Sequence, residues 1–255
     1  MTAYERVQQA RARGRHTSLD YIKNIFTHFL EMHGDRRFAD DKAVVAGIAY
    51  LNNTPVTVIG IEKGQNVKER AARNSGSAHP EGYRKALRQM KLAEKFGRPV
   101  ICFVDTPGAY CGIGAEERGQ GQAIAENLME MMSLKAPIIS VLIGEGGSGG
   151  ALALSVANEV WMLENAVYSV ISPEGCASIL WKDASKIKEA SNCLKLTAED
   201  LLGLGVIEKL VPEKGDIWAA IKTDLVAAIE KYVQLPAGEL TEMRYQRFRK
   251  IGAFD

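Results

Sequence analysis

Cysteine is scarce and scattered. Cys102, Cys111, Cys176 and Cys193 form no CxxC pair and have no histidine at ligand spacing, which argues against a zinc site or a disulfide framework in this chain. Cys102 reads as a buried strand residue, while Cys111 sits in a glycine-rich loop without an obvious histidine base. Long apolar runs are missing too: nothing approaches the ~20 residues that span a bilayer, and the N-terminal MTAYERV lacks the apolar core of a signal peptide. A soluble, cytoplasmic protein is the expectation. Neither sign of charge is in excess, since 32 Lys and Arg face 31 Asp and Glu for a formal net charge of +1. That removes any whole-chain argument for nucleic acid or a membrane surface. No Ser/His/Asp or Cys/His constellation stands out, and His16, His28 and His33 lack partners at metal spacing, which leaves them surface or packing roles.

What the 255 residues do hold is apolar material, 46% of the chain, and clustered glycine. The first suffices for a sizeable core in one large domain or two small ones. The second is densest in residues 138–154, IISVLIGEGGSGGALAL, where a β-branched apolar run meets a glycine cluster and then a helix-forming Ala/Leu run. A strand, a tight turn and a helix start are expected. Such a junction exposes amides that the first helical turn cannot satisfy, and glycines at 146, 147, 149 and 150 remove the side chains that would keep an anionic oxygen away. Three readings stand at this point: an oxyanion hole, plain close packing, or a dinucleotide site. The last rests on Gly144, Gly146 and Gly149, a literal GxGxxG, with Glu164 about 20 residues further on.

Along the chain, 4–13 is a polar helical pattern, and Thr17 or Ser18 caps a second helix running to His33 with Ile22, Ile25, Phe26 and Phe29 on one face. This region reads as paired helices rather than a strand layer. Residues 43–51 and 56–61 are β-rich and separated by AsnAsnThrPro, which predicts a hairpin. Residues 65–81 read as an irregular, functional or mobile loop. Lys63, Lys68, Arg70, Arg73, Arg84, Lys85 and Arg88 gather around it, either as a solvated face or as a landing site for the phosphates of a cofactor such as coenzyme A, or for an acidic carrier. A helix over 80–96 and a strand over 100–104 follow, then a glycine loop opening a helix from Glu116 to Met132. Two such glycine junctions point to a layered α/β domain with loops converging at one sheet end. Short strands at 160–163, 167–171 and 206–211, a helix opened by SerProGluGly, one capped by Thr197, and an amphipathic helix over 216–232 complete the pattern. The basic, aromatic 245–250 segment reads as packing on a partner or neighbouring helix.

Several stretches together resemble the carboxyltransferase alpha subunit of bacterial acetyl-CoA carboxylase: HGDR at 33–36, PEGYRKA at 80–86, DTPGAY at 105–110, AEERGQ at 115–120, GEGGSGGALA at 144–153 and YSVISPEG at 168–175. The resemblance runs in one order from about Tyr4 to Val211. It implies an α/β, crotonase-like (ClpP/crotonase) fold of repeated ββα units, spanning 37–212, after an N-terminal helical region at 1–36 and before a C-terminal helical extension at 213–255. It implies transfer of a carboxyl group from carboxybiotin, borne by a biotin carboxyl carrier protein, to acetyl-CoA, giving malonyl-CoA for fatty acid synthesis. Backbone amides of Gly146, Gly147, Gly149 and Gly150 would line one oxyanion hole, and those of Gly108, Ala109, Gly112 and Ile113 a second. Gly149, Gly150, Ser148 and Tyr110 would form the biotin side. The implied partners are a beta subunit, which carries the zinc and most of the acyl-CoA site in an alpha2beta2 particle, and a biotin carboxylase in the wider complex. No metal is expected in this chain.

Some positions depart from the family pattern. Cys111 stands where proline is usual, Ile61 and Glu62 replace a usual His and Gln, Ser75 and Ser77 replace larger apolar residues, and the sequence after Pro212 lacks the usual glycine and histidine. These bear on partner and carrier contacts more than on the reaction. Two rival activities remain: an NAD-dependent oxidoreductase using the literal GxGxxG, and a crotonase-fold acyl-CoA hydratase or isomerase using Glu116, Glu117 or Glu145 as base. A non-enzymatic scaffold subunit is the third alternative.

Overall fold

A computed structural model describes residues 1–253. The sheet grows outward from the two most apolar runs. β4 (Val100–Thr106) is buried at every position and β5 (Ile138–Gly147) at its first seven, as central strands covered on both faces must be. Upstream, β2 (Val44–Leu51) and β3 (Thr54–Ile61) form the expected hairpin, closed at Asn52, which takes the left-handed φ of 52° that tight hairpin turns demand. The sheet order is β1-β2-β3-β4-β5-β6-β8, with β1 (Thr27–Glu31), β6 (Glu159–Leu163) and β8 (Lys209–Val211). The short β7 (Val167–Ser169) pairs the far end of β5. Pairing is antiparallel from β1 to β3 and parallel from β3 onward, so the C-terminal ends of β3, β4, β5 and β6 share one edge. This is a mixed α/β sheet, the class the resemblance implies.

The helices are α1 (Ala3–Ala10), α2 (Ser18–Ile25), α3 (Val67–Ala72), α4 (Pro80–Lys95), α5 (Ile113–Glu117), α6 (Gln120–Ser133), α7 (Ser148–Leu152), α8 (Pro173–Trp181), α9 (Ile187–Cys193), α10 (Ala198–Gly203), α11 (Ile217–Tyr232) and α12 (Ala237–Lys250). Ser172, Thr197 and Asp216 cap α8, α10 and α11, each accepting a first-turn amide. Among the described residues no helix is long and apolar enough to cross a membrane.

Three expectations are corrected. Residues 1–36 are not wholly helical: α2 stops at Ile25, and β1 joins the sheet edge against β2. Phe29 keeps helical spacing with Ile22 and Ile25, but His28 turns to φ 53°, and the carbonyl of Leu30 lies 2.2 Å from where a Gly47 side chain would begin. Strand pairing over a bare glycine thus overrides the helical period. The helix expected over 116–132 is broken at Gly119 (φ 79°) into α5 and α6. The irregular 65–81 loop contains α3 and the start of α4. The last two residues of the C-terminal extension lie outside the described residues.

α12 is fastened by Arg244, which is fully buried. Its guanidinium donates to the carbonyls of Met131 (2.5 Å), Met132, Leu134 and Ala136 and to Asn158 Oδ1 (2.8 Å). A cation at the C-terminus of α6 answers the unpaired last carbonyls and the negative helix end. Burial pulls its pKa down to about 10, so it remains charged at neutral pH.

Candidate active site

At the shared strand edge, β4 and β5 fall out of step. Val104 pairs with Leu142 but Thr106 pairs with Gly146, so β5 carries two extra residues. Asp105 fills the resulting bulge: a Cβ on Gly144 would lie 2.3 Å from its Oδ1, and the same oxygen accepts the Glu145 amide at 2.8 Å. Lys63, at the end of β3, donates to Asp105 Oδ1 (2.7 Å) and Glu145 Oε2 (2.8 Å). Arg11, at the end of α1, bonds Glu145 Oε1 and Glu174 Oε1, both at 2.6 Å. Burial opposes the charge on Lys63, but Asp105 and Glu145 outweigh it and raise its pKa. Burial likewise opposes ionisation of Glu145, and Lys63 and Arg11 overcome it and lower the pKa.

A carboxylate lowered below its unfolded value near 4.5 stabilises the fold above that pH and loses the effect as pH falls through the folded value. An ammonium raised above 10.5 stabilises below that pH and loses the effect as pH rises through its folded value. The stability gap between wild type and Glu145→Gln in thermal melts is therefore expected to stay constant from about pH 6 to 9 and to shrink below about pH 4.5.

Past the bulge the chain turns sharply. Ser148 takes φ 50°, and the short α7 begins without a side-chain cap from Gly147, so its leading amides have no intrahelical acceptor. The turn lies flat against the loop after β4. A Cβ on Gly147 would sit 2.2 Å from the Pro107 carbonyl oxygen, and one on Gly150 would sit 2.6 Å from the Ala109 nitrogen and 2.9 Å from the Tyr83 hydroxyl. Two amide-bearing segments thus meet through bare α-carbons. Gly149 differs, since its Cβ would meet only Ile124 at 3.5 Å, and Gly146 lies within the ladder between Thr106 and Tyr168.

The second set is only partly free. The Gly108 amide donates to Thr106 Oγ1 at 3.0 Å, so it is engaged inside its own loop rather than available to a ligand. Tyr110 N donates to the Ala78 carbonyl, and Gln120 Nε2 bridges the Ala78 and Tyr110 carbonyls at 2.9 Å each. Ala109 N makes no hydrogen bond among the described residues. Gly112 receives the Tyr110 ring, with Cε1 2.6 Å from its Cβ position, and Ile113 opens α5 with its side chain in solvent. Tyr110 is partly exposed and stacks on His79 with ring centroids 4.1 Å apart. Beside Ser148 and Gly149 opens a mainly apolar cavity of about 350 Å³ lined also by Leu152, Tyr168, Val170 and Phe248.

Tyr83, Gln120, His79 and Asp105 escaped the sequence reading as site residues, although Tyr83, Asp105 and Gln120 lie inside the quoted motifs. His79 was legible only as the histidine immediately before PEGY. The basic concentration is largely internal wiring: Lys63 and Lys85 are buried, Lys85 Nζ lies 2.6 Å from Asp40, Arg84 pairs Asp35 at 2.8 Å, and Arg70 and Arg73 donate to carbonyls. Cys102 is buried and Cys111 exposed. The dinucleotide reading fails on geometry. Gly144 and Gly146 belong to a strand rather than a phosphate turn, and Glu164 is occupied by Arg6 at 3.5 Å.

Among solved structures, the chain superposes on transcarboxylase 12S with a TM-score of 0.74 at 20% identity, over 88% of this chain and 42% of that one. A Pseudomonas malonate decarboxylase hetero-tetramer in complex with coenzyme A gives 0.66 at 18% identity, over 84% and 89% of the two chains. These likenesses show a crotonase-like α/β fold. Residues 1–252 match the family model for acetyl co-enzyme A carboxylase carboxyltransferase-like proteins. The chain is 66% identical to an acetyl-coenzyme A carboxylase carboxyl transferase subunit alpha from Ruminiclostridium cellulolyticum, over 99% of this chain and 98% of the relative. It is 60% identical to one from Streptococcus equi subsp. equi, over 98% and 100%. The chain belongs to this alpha-subunit family.

Proposed function

We propose that this chain is the alpha half of a cytoplasmic carboxyltransferase that moves a carboxyl group from carboxybiotin on a separate carrier protein to acetyl-CoA, forming malonyl-CoA at the entry to fatty acid synthesis. The observation that carries the reading is the contact of Gly147 and Gly150 with the 107–109 loop, at α-carbons that leave no room for a side chain. Carboxylating a thioester needs its enolate, and preorganised N–H donors lower that barrier without a side-chain base. The uncapped amides of Gly149 and Gly150 and the Ala109 amide are the donors best placed for this, with Gly146 and Gly108 holding them in position. The apolar cavity beside Ser148 and Gly149 fits a biotin ring system, whose ureido oxygen would accept from that turn; Tyr110, stacked on His79, is not among the residues that line it. Carboxybiotin, when bound, supplies the one-carbon acid and afterwards the nitrogen that takes up the substrate proton.

A beta subunit would complete the acyl-CoA site and carry the zinc, in an alpha2beta2 particle that joins the biotin carboxyl carrier protein and biotin carboxylase in a larger complex. The hydratase or isomerase reading needs a carboxylate of raised pKa near the substrate. Of its candidates Glu116, Glu117 and Glu145, the last is instead held ionised between Lys63 and Arg11. Mixing the chain with a beta subunit and measuring malonyl-CoA-dependent carboxylation of free biotin tests the proposal. Activity is expected only in the mixture; activity of this chain alone, or none in the mixture, overturns it.

A further inference from the structure

α1 lies across the strand edge that bears the candidate amides, and two arginines strap it there. Arg6, itself buried, reaches Asn165, Glu199 at 2.7 Å and Glu164 at 3.5 Å, which ties the helix to the segments around β6 and α10. Arg11 continues the strap to Glu145 and to Glu174 in the first turn of α8. From Glu145 the chain of charges runs inward through Lys63 to Asp105, the residue that fills the bulge of β5. Ends of β3, β4 and β5 are thereby joined in one line of ion pairs, immediately before the turn at Gly147 and the loop at Pro107. Buried pairs of this kind add little net stability, because each charge loses its hydration and only good geometry restores the balance.

We propose that the Arg11–Glu145–Lys63–Asp105 chain is a positioning device for carboxyl transfer: it sets the bulge in β5 and so the spacing between the two amide segments, with α1 as its outer clamp. The inference rests on the reading that those amides serve the reaction. None of the four side chains needs to touch substrate. Their role is the register that brings Gly147 against Pro107 and Gly150 against Ala109.

Arg11 is the member to change, because it is the most exposed of the four and its loss leaves Lys63 between its two carboxylates. In the reconstituted complex with a beta subunit, Arg11→Met is expected to lower kcat for biotin carboxylation about tenfold while KM for malonyl-CoA and biotin stays within twofold. A displaced donor costs rate rather than binding. Arg11→Lys, which can still pair with Glu145, is expected to recover most of the loss. Melting temperature and complex formation are measured alongside. An unchanged kcat overturns the inference, as does a loss that Lys does not relieve and that tracks a lowered melting temperature. Gly150→Ala in the same assay separates the two levels of argument. If it retains full activity, the amide reading fails and takes this inference with it. If it is inactive while Arg11→Met behaves as wild type, only the positioning role is refuted.

Discussion

Gly150→Ala is expected to lower kcat roughly a hundredfold in the reconstituted complex, the loss typical of one displaced oxyanion donor. The new methyl would start 2.6 Å from Ala109 N, 2.9 Å from the Gly108 carbonyl carbon and 2.9 Å from the Tyr83 hydroxyl. Two of these are main-chain atoms, and Tyr83 is fully buried, so the 107–109 loop must retreat. Overpacking of this sort costs about 1–3 kcal/mol of stability, which a domain of this size tolerates, whereas the geometry of the reacting centre does not. Gly121→Ala is the control. Gly121 lies in α6, away from the turn, with nothing within 4 Å of its Cβ position. Steady-state kinetics on both variants give the check: equal losses would show that the effect does not come from the seam between the two segments, and no loss at Gly150 would refute the seam altogether.

Arg244→Met is expected to produce the largest loss of stability. The substitution nearly preserves side-chain length but leaves four carbonyl oxygens and Asn158 Oδ1 without this donor in the interior. Stranding buried acceptors by removing the charged donor that serves them costs about 3–5 kcal/mol. At roughly 2–4 °C per kcal/mol for a domain of this size, the melting temperature falls by about 10 °C. Thermal melts of the variant beside Arg247→Met calibrate the result. Arg247 also makes contacts from α12, to Glu208 at 2.6 Å and the Val206 carbonyl at 2.5 Å, but it lies nearer the surface. A drop no larger than that of Arg247→Met would mean that the buried guanidinium is not what holds the helix.

Much of this architecture was legible because local chemistry and tertiary demand agree. The hairpin at Asn52, the caps Ser172, Thr197 and Asp216, and the apolar central strands each follow from a handful of neighbouring residues. The glycine cluster signalled a crowded turn for the same reason. β1 was not legible, since Phe29 packs on the core in either conformation and only the bare Gly47 across the sheet decides between them. Individual glycine roles were hidden too: Gly144 makes room for Asp105 and Gly147 for Pro107, about 40 residues away in each case, and no window of sequence contains both members. The engaged Gly108 amide depends on the rotamer of Thr106. The ion chain under the site is longer still in sequence, because Arg11 and Glu145 are separated by 134 residues.

α6 has its two ends spoken for by distant parts of the chain. Gln120, at its first turn, grips the carbonyls of Ala78 and Tyr110, and Arg244 seizes its last carbonyls from the far side. Between them stand 14 residues of rigid helix, about 20 Å. The rod thus couples the anchorage of α12 mechanically to the Ala78 and Tyr110 segments beside the proposed site.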